Sequence, residues 1–263
     1  MKNEVKLIKK LNGLLQQLNS REYLHHFGPK TYKFVHHACA LLLKETLKCS
    51  FRRISKLLDL LSLKVPTYSA LCKSRKRIPL SLWSSLLKLT AGFSSGNVAI
   101  DGTGFSRTNP SYHYIKRINA KKPIKSYSKL SALFDLIRKK FIRLKVRIKP
   151  RHDMKDVKPL LRKTKNITKL YGDTGYDAES LHEYCYWKNI QTYIKPKKTT
   201  KHGWARKKQM KHYSEKEYHR RSLIESGFGS LKRKYGGNVM AKKAKGIKVE
   251  IYCKAINHNL ELC

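Results

Sequence analysis

The residue pattern of this sequence changes at the stretch Asn97-Val98-Ala99-Ile100-Asp101-Gly102-Thr103-Gly104. Its first four residues form a short apolar run, which is typical of a buried strand, and we predict that this strand ends at Asp101 in a glycine-rich turn. Leucine stripes at helical spacing dominate the chain before it, and short β-branched and aromatic runs dominate the chain after it. The stretch therefore marks a boundary between a helical part, residues 1–92, and a part with a sheet, residues 93–263.

The C-terminal part is predicted to alternate between strands and helices. Further strands are expected at 112–118, 130–136, 141–148, 169–172 and 190–194, and helices at 153–161, 178–187 and 214–234. Strands in succession followed by alternating helix and strand indicate a mixed α/β layer with a sheet in the middle. The predicted fold class is therefore α/β, a mixed sheet flanked by helices and preceded by an all-α segment.

Residues 50–77 within the helical part predict a helix, a short turn and a second helix. The second helix contains four cations that suit a DNA groove, Lys73, Arg75, Lys76 and Arg77. A solvated basic face on a small helical bundle explains these residues equally well. From this segment alone the two interpretations stay open.

The charge of the chain points to a polyanionic partner. The sequence has 59 Lys and Arg against 17 Asp and Glu, a net charge of +42. Residues 1–92 contain 18 basic and 4 acidic residues and the remainder 41 and 13, so the excess is not confined to a tail. Nucleic acid is the leading partner, an anionic membrane surface is the weaker one, and small-molecule metabolism is disfavoured.

Several other classes of protein are disfavoured by what the sequence lacks. No run approaches the ~20 apolar residues of a membrane span, and the N-terminus has no signal-peptide pattern. We therefore predict no membrane partner and a cytoplasmic, nucleoid-associated location. The six cysteines form no Cys-x-x-Cys pair, which argues against zinc ribbons and redox motifs. The histidine pairs at 25–26 and 36–37 are interpreted as structural or DNA-facing rather than as metal ligands.

Two of the scarce acids share one sequence context. Asp101 and Asp173 each follow a short apolar run and precede a Gly-x-Gly or Thr-Gly turn. Functional groups of open α/β sheets gather at the carboxyl ends of the strands, so the two carboxylates can share a site if their strands are neighbours. Paired carboxylates repel unless a cation lies between them, and Mg²⁺ prefers such oxygen ligands. A third acid is then expected from another element.

Glu225 is the strongest candidate for the third acid. On the predicted helix 214–234, it shares a stripe about 60° wide with three other side chains, Tyr218, Arg221 and Lys232. A carboxylate among Tyr, Arg and Lys suits a metal-bound phosphate. Without the two aspartates, a surface stripe of ion pairs would be the better interpretation.

These motifs resemble a known family. The spacing Tyr218-x2-Arg221-x3-Glu225-x6-Lys232 resembles the Tyr-Arg-Glu-Lys signature of DDE transposases from bacterial and archaeal insertion sequences. Residues 98–104 look like the family's first-Asp segment and residues 172–177 like its second. The resemblance covers roughly residues 50–260. It implies a ribonuclease-H-like catalytic domain at 93–263, preceded by a helical DNA-binding domain at 1–92 with a helix-turn-helix near 50–77.

The resemblance also implies a chemistry and its residues. Asp101, Asp173 and Glu225 would hold two Mg²⁺ ions, which Mn²⁺ can replace, and Tyr218, Arg221 and Lys232 would contact DNA near the scissile phosphate. The implied partner is double-stranded DNA, namely the terminal inverted repeats of an element and its target DNA. The implied reaction is hydrolysis that frees a 3′-hydroxyl, followed by strand transfer, in a dimer or larger complex.

Other kinds of protein fit the sequence less well than this enzyme. The main alternative is a non-catalytic DNA-binding protein, such as a domesticated transposase or a basic module, and the presence of all three acids argues against it. An aspartic protease, suggested by Asp173-Thr174-Gly175, lacks the second copy that it needs. The 52 residues from Asp173 to Glu225 imply the compact branch of the family and leave a hairpin or another pathway open. The basic stretch 195–212 is predicted to be a mobile loop that orders on DNA or a disordered segment.

Overall fold

The computed structural model describes residues 2–25, 27, 30–107, 127–149, 151–198 and 202–262, with only the backbone described for residues 2–7. The helices are α1 (Lys2–Gln17), α2 (Phe34–Thr46), α3 (Phe51–Leu60), α4 (Tyr68–Arg77), α5 (Leu80–Ala91), α6 (Met154–Arg162), α7 (Glu179–Trp187), α8 (Trp204–Met210), α9 (Glu215–His219), α10 (Ser222–Tyr235) and α11 (Ala244–Glu261). The strands are β1 (Asn97–Ser106), β2 (Tyr127–Asp135), β3 (Lys140–Arg147), β4 (Lys169–Gly172) and β5 (Gln191–Ile194). The predicted strand at 112–118 lies outside the described residues.

The five strands form one mixed sheet in the order β3-β2-β1-β4-β5. The first three strands in the chain pair antiparallel, and β1, β4 and β5 run parallel to one another. A crossover that contains α6 leads to β4, and α7 connects β4 to β5. The prediction of a mixed sheet flanked by helices is confirmed.

Two hydrophobic layers cover the faces of the sheet. On one face, Ile100, Leu133 and Leu170 pack in a cluster with residues of α6 and α7. On the other face, Phe134 and Phe141 belong to a larger cluster that extends through α11 into α1, α2 and α5. The helical N-terminal part and the sheet thus share a continuous core. In the part of the chain that the structure describes, no helix is long and apolar enough to cross a membrane.

Residues 50–77 form the two helices α3 and α4, joined by a short connection. Ser50 caps α3 by accepting a hydrogen bond from the Arg53 amide at 3.2 Å, and Thr67 caps α4 by accepting one from the Ala70 amide at 3.4 Å. Ile54, Leu58 and Leu71 pack between the two helices and α2. The caps and this small core fix the angle at which α4 is presented.

Five charged side chains form a cluster beneath α4, which we call the buried charge cluster; four of them are buried, and the fifth, Arg75, is partly exposed. Its members come from α2, α4 and α11: Lys44, Glu45, Arg75, Glu250 and Lys254. The Arg75 guanidinium lies 3.2 Å from the buried Glu250 carboxylate and stacks over the Phe51 ring. The prediction that Arg75 faces DNA is therefore corrected: its charge is held against an acid within the protein.

Three local predictions differ from the structure. Strand β1 does not end at Asp101; it continues to Ser106, because β2 pairs with it over the whole length. The helix predicted at 214–234 is interrupted at residues 220–221, so that Tyr218 lies on α9 and Glu225 on α10. The basic stretch 195–212 is not entirely a loop, since residues 204–210 form α8.

Candidate active site

Asp101 and Asp173 lie side by side because β1 and β4 are parallel neighbours. Ile100 pairs with Gly172, so the residue that follows each one occupies the same position along its strand. Each carboxylate accepts a hydrogen bond from the next backbone amide, Gly102 or Thr174, and both distances are 2.7 Å. These bonds fix the rotamer of each aspartate while leaving most of its acceptor capacity unused.

Both aspartates open into a pocket of about 270 Å³, which we call the carboxylate pocket. Its lining is completed by Gly102, Thr103, Gly104, Tyr127, Lys129, Asp153, Gly175 and Tyr176. The Asp153 side chain packs closely against Gly102: a Cβ atom at residue 102 would lie 2.8 Å from Oδ1 of Asp153. The absence of a side chain at this position therefore lets a third carboxylate come near Asp101.

Lys129 is the cation of the carboxylate pocket. Its ammonium group lies 2.7 Å from Asp153 and donates to the Arg151 carbonyl, also at 2.7 Å. The Tyr176 hydroxyl contacts the same Asp153 oxygen at 3.4 Å. These contacts hold the lysine, whose side chain is 13% exposed, against Asp153 in the pocket that the two site aspartates also line.

Glu225 approaches the two aspartates from α10, together with Arg221. The Arg221 guanidinium donates to Glu225 at 2.5 Å and lies over the Tyr218 ring, 5.6 Å from its centroid. The interruption between α9 and α10 does not separate these three side chains, because tight backbone turns at residues 220 and 221 keep them on one side. Tyr218 itself is 7% exposed and thus supports Arg221 from beneath.

The electrostatics link the three acids. Burial raises the pKa of Asp101, and the negative charges of Glu225 and Asp173 raise it further, while Arg221 and the Gly102 amide oppose the shift. Attraction to Glu225 raises the pKa of Arg221 despite its partial burial, and Asp173 contributes to that rise. Arg221 is therefore the cation that offsets the mutual repulsion of the three carboxylates.

The donor set suits a hard divalent cation. All three predicted ligands are carboxylates, which Mg²⁺ and Mn²⁺ prefer, and two of them open into one pocket. Within the described ranges, no three His, Cys, Asp or Glu side chains are close enough together to form a complete metal site. The third acid, Glu225, is held by Arg221 instead. The residues fit the ion by their chemistry, with two ligands assembled in one pocket.

The other predicted DNA-contacting residues occupy different surfaces. Lys232 lies over the Phe105 ring at 5.7 Å, on the side of β1 that faces α10, and burial lowers its pKa. Lys73, Lys76 and Arg77 are exposed on α4. The Arg77 guanidinium contacts the His25 ring at 2.7 Å. The structure therefore brings Arg221 to the three acids and leaves the α4 cations on a separate face.

Sequence reasoning missed Lys129, Asp153 and Tyr176. Lys129 and Asp153 lie in no recognisable motif, and 24 residues separate them in the chain. Their meeting depends on the antiparallel register of β2, which places Lys129 opposite Gly104. The alternation of small residues in Gly102-Thr103-Gly104 was the available signal, because glycines within a strand often mark the close approach of another group.

Comparisons with known proteins add a family match. Residues 93–260 match the family model described as "Transposase DDE domain". No curated protein matches the chain. A crystal structure of a pre-cleavage Mos1 transpososome is similar at 11% identity and a TM-score of 0.26, covering 90% of this chain and 80% of that chain. A Mos1 transposase paired-end complex with left transposon end is similar at 11% identity and a TM-score of 0.23, covering 84% and 85%. Scores this low do not establish a shared architecture, whereas the family match spans more than half of the chain.

Proposed function

This chain is a DNA transposase of the Transposase DDE domain family, and we propose that it cuts element ends and joins them to target DNA at the carboxylate pocket. One observation supports this assignment above all: Asp101 and Asp173 follow paired positions of β1 and β4 and open into one pocket. We assign catalysis to residues 93–263 and recognition of double-stranded element ends to residues 1–92. The assembled complex contains at least a dimer, since two ends must be brought together.

Asp101, Asp173 and Glu225 would hold two Mg²⁺ ions. When bound, the ions polarise the scissile phosphate and favour the deprotonated form of the attacking hydroxyl or water. The protein supplies the positioning. The hydrogen bonds from Gly102 and Thr174 fix the two aspartates, and the ion pair with Arg221 holds Glu225 close to them.

Cations around the pocket would bind the phosphate oxygens. Lys129 lines it and is fixed by Asp153, and Arg221 is paired with Glu225 and attracts the Asp101 carboxylate electrostatically. A planar guanidinium binds phosphate oxygens in pairs, so Arg221 can exchange its contact with Glu225 for one with DNA. Lys232 and the exposed residues Lys73, Lys76 and Arg77 would contact the backbone on either side. This distribution explains why the excess charge is spread over the whole chain.

The direct test incubates the full chain with DNA that contains the terminal repeats of its own gene, in Mg²⁺, in Mn²⁺ and in EDTA. We expect cleavage at the repeat ends and joined products in either metal, and binding without cleavage in EDTA. Binding with no cleavage under any metal condition would instead favour a non-catalytic DNA-binding protein. Cleavage that persists in EDTA would contradict the assignment of metal ligands.

A further inference from the structure

A second cleft lies at the end of the sheet opposite to the carboxylate pocket. It measures about 830 Å³, and its lining includes Tyr186, Trp187, Gln191, Lys208, Lys211 and His212. Gln191 begins β5, and Thr168, just before β4, also lines the cleft, whereas Asp173 follows the last residue of β4. A strand of this length spans about 13 Å at roughly 3.3 Å per residue, so the two sites are separate. We call this second site the aromatic cleft.

Three aromatic rings meet beside the aromatic cleft. The Tyr186 ring lies 5.5 Å from Trp187 and 5.2 Å from Trp204, edge to face in both contacts. Trp187 is 70% exposed and Trp204 is 46% exposed. Tryptophan is costly to leave in water, and adjacent exposed aromatic rings commonly mark a binding surface. Despite these contacts, both tryptophans keep a large part of their ring surface in contact with solvent.

The rings are held on a rigid support. The Glu179 carboxylate at the start of α7 accepts hydrogen bonds from the Ala205 and Arg206 amides at 2.7 and 3.2 Å, which caps the first turn of α8. The Arg206 side chain donates to the buried Asp177 carboxylate at 2.8 Å. Gly203 has a φ of 122°, and a Cβ atom there would overlap Glu179. Trp204 is therefore fixed relative to α7 before any ligand binds.

One face of α8 combines this tryptophan with cations. Trp204, Lys207, Lys208 and Lys211 have offsets of 0, 3, 4 and 7 and are all exposed, so they share a single helical face. The Lys208 ammonium lies 5.3 Å above the Tyr186 ring. Exposed tryptophans next to several cations match a ligand that has both flat bases and phosphates. Protein interfaces, by contrast, are depleted in lysine.

We propose that the aromatic cleft binds single-stranded DNA, with Trp187 and Trp204 stacking on unpaired bases and Lys208 and Lys211 contacting the phosphates. Duplex DNA hides its base faces within the helical stack, so it cannot use the rings. This proposal depends on the proposed function in one respect, namely that the nucleic acid is DNA. It places a second nucleic-acid site on the molecule, independent of the three carboxylates.

Tryptophan fluorescence tests this directly, because the chain has three tryptophans and the third, Trp83, is fully buried. The full chain in EDTA is titrated with an oligothymidine of about 12 nucleotides, within the size range of single-strand sites. We expect quenching, which Asp101→Asn leaves unchanged. Trp187→Ala and Trp204→Ala should each weaken oligothymidine binding about tenfold, as expected when one base stack is removed. Duplex binding should stay within about twofold, and Trp187→Phe should retain most of the affinity.

Phe93→Ala is the control, because it removes an aromatic ring that is even more exposed, at 81%, and lies outside the aromatic cleft. It should leave oligothymidine binding unchanged. The proposal is overturned if the two tryptophan variants bind oligothymidine like the parent protein, or if they lose duplex and single-strand affinity equally. A self-association that both variants abolish without any change in oligothymidine binding would also overturn it, and would identify the cleft as a protein interface. Loss of cleavage in Asp101→Asn with intact quenching separates this test from the proposed function.

Discussion

The acids of the buried charge cluster and those of the carboxylate pocket differ in how many hydrogen-bond donors and cations surround them. In the cluster, Glu250 accepts hydrogen bonds from the Met240 and Ala241 amides, at 2.8 and 3.2 Å, and lies 3.2 Å from Arg75 and 3.5 Å from Lys44. In the pocket, Asp101 accepts one hydrogen bond, from its own neighbouring amide, among the described residues. Glu250 is therefore surrounded by hydrogen-bond donors and cations, whereas most of the acceptor capacity of Asp101 is unused.

The difference shows that the placement of cations matters more than their number. A chain with 59 basic residues leaves the pair Asp101 and Asp173 without a contacting lysine or arginine among the described residues, yet supplies three cations to two glutamates within the core. Burying a carboxylate that has few hydrogen-bond donors disfavours its charged form. This cost raises the pKa of Asp101. Such a site gains most when a cation from outside the chain binds.

The largest expected effect comes from removing one of the site acids. Asp101→Ala, Asp173→Ala or Glu225→Ala should each reduce Mg²⁺-dependent cleavage and joining by about 10³-fold or more, because metal ions supply several kcal/mol of transition-state stabilisation. Binding to element ends should stay nearly intact, as measured by gel shift. Near-normal cleavage by any one of these variants would remove that residue from the metal site.

A stability measurement on Asp101→Asn accompanies this prediction. Because the folded-state pKa of Asp101 is raised, its ionised form is disfavoured in the folded protein, and stability from this group increases as pH falls through that pKa. At neutral pH the neutral amide removes this cost. The variant should therefore melt at a higher temperature than the parent protein in the absence of metal, although it does not cleave DNA.

The opposite outcome is expected for Glu250→Gln in the buried charge cluster. Removing one partner of a buried, hydrogen-bonded ion pair typically costs about 3–5 kcal/mol, and each kcal/mol lowers the melting temperature of a chain of this size by about 2–4 °C. Glu261→Gln is the control, since its ion pair with Lys234 is about half exposed and is worth at most about 1 kcal/mol, and glutamine can still accept the hydrogen bond from the Tyr235 hydroxyl. Equal melting temperatures for these two variants would contradict the structural role of Glu250.

The same two regions differ in how far sequence predicts them. The strand contexts of Asp101 and Asp173 are local, so pattern alone predicted both strands and the mixed sheet. A shared site depended on the two strands being neighbours, and only the pairing of β1 with β4 provides that. The partner of Arg75 is 175 residues away in the chain, and no local pattern could identify it. The break at residues 220–221 was also missed, because side-chain periodicity continues across one tight turn. Long-range register and buried pairing are the properties that the sequence alone left undetermined.

Removing the charge of Lys129, the cation of the carboxylate pocket, should reduce cleavage less than removing a site acid. Lys129→Met keeps the apolar stem and removes the charge, so we expect cleavage to fall about 10²-fold, the effect of losing one preorganised donor. Asp153→Asn keeps the Lys129 charge but removes the ion pair that positions it, so the loss should be smaller, about tenfold. The Mg²⁺ concentration for half-maximal cleavage should stay unchanged in Lys129→Met. A large rise in this concentration would mean that Lys129 acts through the metal ligands rather than on the phosphate.

The smallest effect separates the exposed cations of α4 from Arg75, whose charge is paired within the protein. Lys73 and Lys76 are exposed, and removing one phosphate-binding cation should lower the slope of log affinity against log salt by about 0.9. The double change Lys73→Ala and Lys76→Ala should therefore weaken duplex binding about tenfold and lower the slope by about 1.8. The matched control changes Lys9 and Lys10 to Ala, which removes the same charge from exposed positions on α1.

Arg75→Ala completes this comparison on the same helix. Because Arg75 pairs with Glu250, its removal should lower the melting temperature and leave the salt slope of the folded protein unchanged. Gel-shift titrations at several salt concentrations, together with thermal melts, distinguish the two kinds of cation. If the Lys9 and Lys10 variant lost as much affinity as the α4 variant, the loss would reflect net charge, and α4 would have no special part in holding DNA.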